Sequence, residues 1–193
     1  MLLSGYVRDK NGNALAGADI FVKDDRFQTI YQAVSDGKGF YSVDLPAGKY
    51  PFFAAVREYG ENYLEYWCQN LDLAQDMQLD IRIDTLEVYG LHVFTVKGGY
   101  PSLMAYFRPM SLKKFQNGDP DICPDIQRIR VLVDSREASV LAQSRVCESM
   151  GDIDLGAFLI QVALPEKTNR WDRVDVEIWD GSDAYGAATI FAD

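Results

Sequence analysis

The stretch Asn62-Tyr63-Leu64-Glu65-Tyr66-Trp67-Cys68-Gln69-Asn70 carries the densest set of side chains that could hold a ligand. In an extended chain, successive side chains point to opposite faces. Tyr63, Glu65, Trp67 and Gln69 then share one face, and Leu64, Tyr66 and Cys68 take the other. A large ring beside a carboxylate, an amide and a phenol suits stacking on a sugar ring with hydrogen bonds at its rim. It equally suits an anchor in a protein interface. Trp179 repeats the pattern, alternating with Glu177 and Asp175 against Val174, Val176 and Ile178. The competing reading for Trp67 is burial, as a bulky plug where two domains meet.

Covalent and acid–base chemistry find little support. The one histidine, His92, lies between Leu91 and Val93 on the parity of Phe94 and Val96, and reads as a semi-buried residue of a strand. A serine nucleophile would need a base and an elbow of the form G-x-S-x-G, and that motif is absent. Zinc catalysis draws on two or three histidines or on cysteines, and one histidine does not supply a common site. With 29 acidic residues, some carboxylate pair can always meet in space, which leaves a carboxylate hydrolase in an interdomain cleft as a remote alternative. Asp9-x-Asn11-x-Asn13 begins like a calcium loop, but Ala14 and Ile20 stand where glycine and glutamate are required. An Asx-turn accounts for it better. Asp180 and Asp183, in Asp180-Gly181-Ser182-Asp183, are weak calcium candidates within what reads as an acidic hairpin turn. No cofactor is expected.

Composition narrows the partners. The chain has 193 residues, 48% apolar, and a formal charge of −10, so it can bury large cores and should repel a phosphate backbone. Nucleic acid and anionic membrane are therefore not expected as partners. No apolar run approaches the ~18 residues of a membrane-spanning helix. Three cysteines, Cys68, Cys123 and Cys147, with no C-x-x-C, argue against a disulfide framework and a structural zinc site. The N-terminal Met1-Leu2-Leu3-Ser4-Gly5 has no charged segment ahead of an apolar one. The expectation is a reduced, cytoplasmic chain. The oligomeric state is not readable from these features.

The elements that must position these residues read as strands. Leu3, Gly5 and Val7 alternate with Ser4, Tyr6 and Arg8. Further strands are expected at 18–23, 28–35, 40–45, 50–56, 63–73 and 77–84. Pro51 cannot donate to a ladder, so the fifth strand should lie at an edge there or begin there. Ser35 to Tyr50, SDGKGFYSVDLPAGKY, reads as turn, strand, turn, strand. Strands of this size separated by turn residues imply a β-sandwich. The framework Gly5-x-Val7-x-Asp9, Gly12, Leu15-x-Gly17-Ala18, Ile20-x-Val22, Ser35-Asp36-x-x-Gly39-Phe40 and Leu45-Pro46-x-Gly48-x-Tyr50 resembles the carboxypeptidase regulatory-like domain. The resemblance covers residues 2–84 and implies a seven-stranded transthyretin-like (prealbumin-like) Greek-key sandwich. It implies an accessory or adhesive module and carries no catalytic residues.

Ile83-Asp84-Thr85 runs into the second half with no linker, which implies close packing of two domains, 1–84 and 85–193. Strands are expected at 86–96, 102–107, 126–134, 155–164, 173–180 and 187–191. Pro109 should end the second of these, and 111–125 reads as a loop. Residues 137–150 fit a helix or a strand, and their all-strand surroundings favour a strand. The fold class is thus all-β, two tandem antiparallel β-sandwiches, the second of no recognised family. The functional expectation is a non-catalytic accessory or binding module that presents an aromatic face to carbohydrate or a protein partner. The alternative is a structural or oligomerising protein whose aromatics are all interface.

Overall fold

The computed structural model describes residues 1–164 and 170–193, and the backbone alone at Met150. The first half forms β1 (Leu2–Arg8), β2 (Asp19–Lys23), β3 (Thr29–Val34), β4 (Phe40–Asp44), β5 (Gly48–Val56), β6 (Tyr66–Leu73), β7 (Met77–Gln78) and β8 (Ile81–Arg82). The second half forms β9 (Leu86–Phe94), β10 (Ser102–Ser111), α1 (Leu112–Asn117), β11 (Ile126–Val133), β12 (Arg136–Ala138), β13 (Val140–Met150), β14 (Ile153–Ala163), β15 (Arg173–Asp180) and β16 (Tyr185–Phe191). The ambiguous residues 137–150 are strand, and pair along their length with β14. In the turn before β4, Asp36 Oδ1 accepts from the N–H groups of Lys38 and Phe40, and Gly39 sits at φ +75°. A Cβ on Gly39 would stand 2.4 Å from the Val7 carbonyl oxygen, so only glycine closes this turn.

The described strands build three sheets. One runs β4-β1-β7, with β8 also paired to β1; a second runs β13-β14-β10-β9. The third is continuous through both halves, in the order β12-β11-β15-β16-β6-β5-β2-β3. Its seam is the parallel pairing of β16 with β6, Ala188 opposite Trp67 and Ile190 opposite Gln69. The two sandwiches are therefore not beads in series. They share a sheet, through main-chain hydrogen bonds between residues more than a hundred positions apart.

The sharing is staggered. Ile20, Val22, Phe53, Ala55, Tyr66, Cys68 and Ala187 of the shared sheet pack with Leu3, Val7 and Tyr41 of the β1 sheet. Ala54, Trp67, Val131, Val174, Val176, Ala188 and Ile190 pack instead with Val88, Leu103, Phe107 and Ile160 of the β10 sheet. Neighbours such as Tyr66 and Trp67, or Ala187 and Ala188, point to opposite faces. The two small sheets consequently cover opposite faces of the long one. β16 lies under both, and all seven of its residues are buried.

One local reading is refined and two are corrected. β5 is central, between β2 and β6, but its pairing with β2 reaches no further than Phe52, so Pro51 meets no ladder on that side. β10 continues through Pro109 because β14 stops pairing at Phe107, leaving β9 as its one neighbour there. Within 111–125, Leu112–Asn117 is a helix: Ser111 Oγ accepts from the Lys114 N–H, and Gly118 caps the other end at φ +74°.

The seam leaves no room for a side chain at Gly186, where a Cβ would stand 2.7 Å from the carbonyl carbon and oxygen of Leu86. Gly186→Ala is expected to push β9 from β16 and cost about 1–3 kcal/mol. Gly37→Ala, with nothing within 4 Å of its Cβ, should stay within about 0.5 kcal/mol. Urea unfolding of both variants checks the pair; equal midpoints would mean the seam yields freely.

Candidate functional site

The stagger leaves the shared sheet uncovered on one face of β15 and β11. Arg173, Asp175, Glu177 and Trp179 alternate along β15 toward that face, while Val174, Val176 and Ile178 are buried on the other. The register sets Arg128 against Trp179, Arg130 against Glu177 and Leu132 against Asp175. Where the β1 sheet ends, Arg8, Asp80, Ile81 and Arg82 form a wall. The result is a cleft of about 470 Å³ at the seam, floored by Tyr66, Tyr185, Ala187 and Thr189.

Its polar groups hold one another. The Tyr66 hydroxyl donates to Thr189 Oγ1 at 2.6 Å, and Thr189 Oγ1 donates to Asp175 Oδ1. Arg173 donates to the same Oδ1 from Nε at 2.9 Å and Nη2 at 2.7 Å. The Tyr185 hydroxyl donates to Glu177 Oε1 at 2.8 Å, and Arg130 Nη1 to Glu177 Oε2 at 3.0 Å. Arg130 Nε also reaches Glu137 Oε2 at 3.0 Å. Burial pushes the Tyr66 and Tyr185 phenols well above their ordinary range, so both stay protonated donors. Burial opposes the Arg173 charge, but the Asp175 carboxylate and its hydrogen bonds lead the groups that reverse this, and the guanidinium is held more firmly cationic. The cleft is thus a preorganised polar surface with its donors and acceptors fixed.

The residues expected to form an aromatic face are dispersed. Trp67 is 7% exposed and enters the second core, although it belongs to the first half. Its Nε1 donates to Glu87 Oε1 at 2.9 Å, Tyr89 meets its edge at 6.4 Å, and Phe27 stacks on it at 5.6 Å. Phe27 reaches it from a turn in which Asp24 Oδ1 accepts from the Arg26 and Gln28 N–H groups, with Phe27 at φ +63°. No sugar can stack on a ring so enclosed. Tyr63 precedes β6 and packs on the first core, on the other side from Trp67. Glu65 and Gln69 are half-buried beside the seam. Trp179 keeps the alternation read from sequence but lies on the opposite face of the sheet from Trp67. The Arg128 guanidinium stands 4.2 Å over its ring, and Tyr185 meets it edge-on at 5.2 Å.

Other readings resolve similarly. His92 is exposed, not semi-buried, and stacks on Phe94 at 5.6 Å. Asp180 Oδ1 is taken by the Ser182 N–H and hydroxyl and by the Ala184 N–H. Asp183 instead lies 3.7 Å from Lys10 Nζ. Among the described residues, no group of three His, Cys, Asp or Glu side chains is placed to hold a metal. Burial raises the pKa of Glu65, Asp84 and Glu87, and Glu87 the most: burial first, then the Glu65 charge, lifts it to about 8. Glu87 is 1% exposed and hydrogen-bonded into the core, with no opening to the cleft. Arg8, Arg82, Arg130, Arg173 and Tyr185 were missed. They come from five strands, and no spacing in the sequence signals that these strands meet.

The family model for the carboxypeptidase regulatory-like domain matches residues 3–83, and no family model matches the second half. No curated protein matches the sequence. Similar solved structures include a DUF3823 family protein from Bacteroides ovatus, 10% identical over 100% of this chain and 99% of that one, TM-score 0.32. A DUF3823 family protein from Parabacteroides merdae is 14% identical over 98% and 97%, TM-score 0.32. BcpA, the major pilin subunit of Bacillus cereus, is 12% identical over 98% of this chain and 67% of that one, TM-score 0.32.

Proposed function

We propose that the chain is a non-catalytic binding module whose ligand lies in the cleft at the seam, on the uncovered face of the shared sheet. The observation that carries this reading is the stagger itself. It creates a concavity of about 470 Å³, within the range of small-molecule sites, out of strands from both halves. Its lining is polar and mutually restrained, as a site for a polar ligand such as a carbohydrate or a polar protein segment should be. The two carboxylates on its floor, Asp175 and Glu177, are each bridged to an arginine. That arrangement suits fixed hydrogen bonding better than proton transfer.

Leu132 stands on the cleft side of β11, and Leu132→Trp would fill the cavity from a half-exposed position. Calorimetric titration of a panel of saccharides and peptides is expected to find a ligand for the wild type that this variant binds at least about 10-fold more weakly, with an unchanged fold. A ligand that binds the filled variant equally well would place the site elsewhere.

A further inference from the structure

We infer that the ligand of this cleft is an acidic saccharide whose carboxylate is held by Arg8 and Arg82. The inference rests on the binding-module reading above and names its ligand class.

The chain carries a formal charge of −10, yet four arginines line this one cleft. Arg130 and Arg173 are engaged by Glu137, Glu177 and Asp175. Arg8 and Arg82 form no ion pair with a carboxylate among the described residues. They face each other in register across the parallel pairing of β1 and β8. Partners in register project to the same side, and like charges so placed destabilise a sheet. An anion between them converts that cost into two charge-assisted contacts, and a guanidinium matches a planar carboxylate in two-point geometry.

Both arginines are restrained beforehand. Arg8 Nη1 donates to the Gly12 carbonyl at 3.0 Å, and its guanidinium lies 5.0 Å from the Tyr6 ring. Arg82 lies 5.5 Å from the Tyr185 ring. Restraint of this kind lowers the ordering cost of binding. The remaining acid on that wall, Asp80, is occupied, accepting from the Tyr6 N–H at 3.0 Å and from Gln78 Nε2 at 3.1 Å.

The rest of the lining selects the body of the ligand. The hydroxyls of Tyr66, Tyr185, Thr189 and Ser135 lie with the Asp175 and Glu177 carboxylates in a lining that is more polar than apolar. Such a surface favours a ligand that is polar over most of its area, with Ile81 and Leu132 left to meet its apolar edges. The arginines and the Ser135 hydroxyl can donate to a ring bearing many hydroxyl groups, and the Asp175 and Glu177 carboxylates can accept from it. A uronic-acid saccharide unites those hydroxyls with a carboxylate.

The test is calorimetric titration of the full chain with tri-galacturonate, its methyl ester, neutral tri-galactose and a glutamate-rich peptide. Tri-galacturonate is expected to bind, and the ester and the neutral sugar at least about 10-fold more weakly, the scale of one lost charge-assisted hydrogen bond. Arg8→Gln and Arg82→Gln should each weaken tri-galacturonate by about 10-fold while leaving the melting curve in place, and Leu132→Trp should abolish binding. Equal binding of ester, neutral sugar and acid, still blocked by Leu132→Trp, would overturn the acidic ligand and leave the binding module standing. Binding of the peptide in place of the saccharides would overturn the saccharide. No binding of any probe in this set or in the wider panel would overturn both readings.

Discussion

Trp67→Ala is expected to lower the melting temperature by about 10 °C or more, and to do so in one transition rather than two. The residue sits on β6, in the first half, but its ring is 7% exposed within the core of the second. Truncating a buried tryptophan costs about 3–5 kcal/mol. At this chain length each kcal/mol lowers the midpoint by about 2–4 °C. The variant also strips Glu87 Oε1 of its donor, adding an unsatisfied buried acceptor to the cavity. Because β6 pairs with β16 through the shared sheet, neither half can lose this plug without loosening the other. Differential scanning calorimetry reads both parts of the expectation. A fall under 3 °C, or two resolved endotherms, would mean that the halves hold their structure independently. Trp179→Ala provides the comparison. That ring is half-buried and covered on one side by Arg128, so its loss should cost about 1–2 kcal/mol.

That contrast also marks how much the sequence discloses. The alternation Leu3-Gly5-Val7, the turn Asp36-Gly37-Lys38-Gly39 and the parity of Trp179 with Glu177 and Asp175 are all local. Period-two patterning and turn chemistry determine them, and they read directly. The pairing of β16 with β6 is not local. Parallel strands pair across long sequence separations, and nothing in Trp67-Cys68-Gln69 or Ala188-Thr189-Ile190 marks them as neighbours. Without that pairing, Trp67 reads equally as a ring facing solvent or as a plug at the domain junction. With it, the same ring is a wedge between sheets, which is the burial that a linkerless junction also implied. The cleft was hidden for the same reason. Arg8, Arg82, Arg130 and Arg173 are scattered along the chain, and their charges become one site only after the stagger sets four strands around it. Pro109 and Pro51 show the reverse error. Each is a correct sign of a missing ladder partner, but the partner is missing on one side only.

The stagger ties stability to the site. A sandwich with both sheets in full register would bury the outward residues of β15 and leave no concavity. Displacing the covering sheets to opposite faces exposes those residues at the expense of apolar cover, and β16 compensates by being buried on both sides. The seam must therefore be tight. Gly186 against Leu86 makes it so in main-chain terms, and Trp67 with Glu87 in side-chain terms.

Glu87 makes the seam sensitive to pH, and stability is expected to fall as pH rises from about 5 to 8. In the unfolded chain this carboxyl ionises near its ordinary value of 4.5, and in the folded chain near 8. Below the lower value both states hold the proton. Between the two values the folded state holds a proton that the unfolded state has released, so each unit of pH costs up to about 1.4 kcal/mol of stability. Above the upper value both are ionised and the slope vanishes. Across the whole interval the cost is about 3–5 kcal/mol. Glu87→Gln isolates it from every other titrating group. The amide oxygen can still accept from Trp67 Nε1, but the amide nitrogen must face the Glu65 N–H that now donates to Oε2 at 3.2 Å. The variant should therefore be the less stable protein at pH 5, by about 1 kcal/mol, and the more stable one at pH 9. Urea unfolding of both proteins across this range should give curves that cross. A constant offset between them would show that Glu87 is already ionised in the folded chain at pH 5. Trp67→Phe sharpens the test, because the indole hydrogen bond favours the ionised carboxylate. Removing it should move the upper end of the interval beyond pH 8, so that the stability difference from the matched double variant keeps changing to higher pH before it levels off.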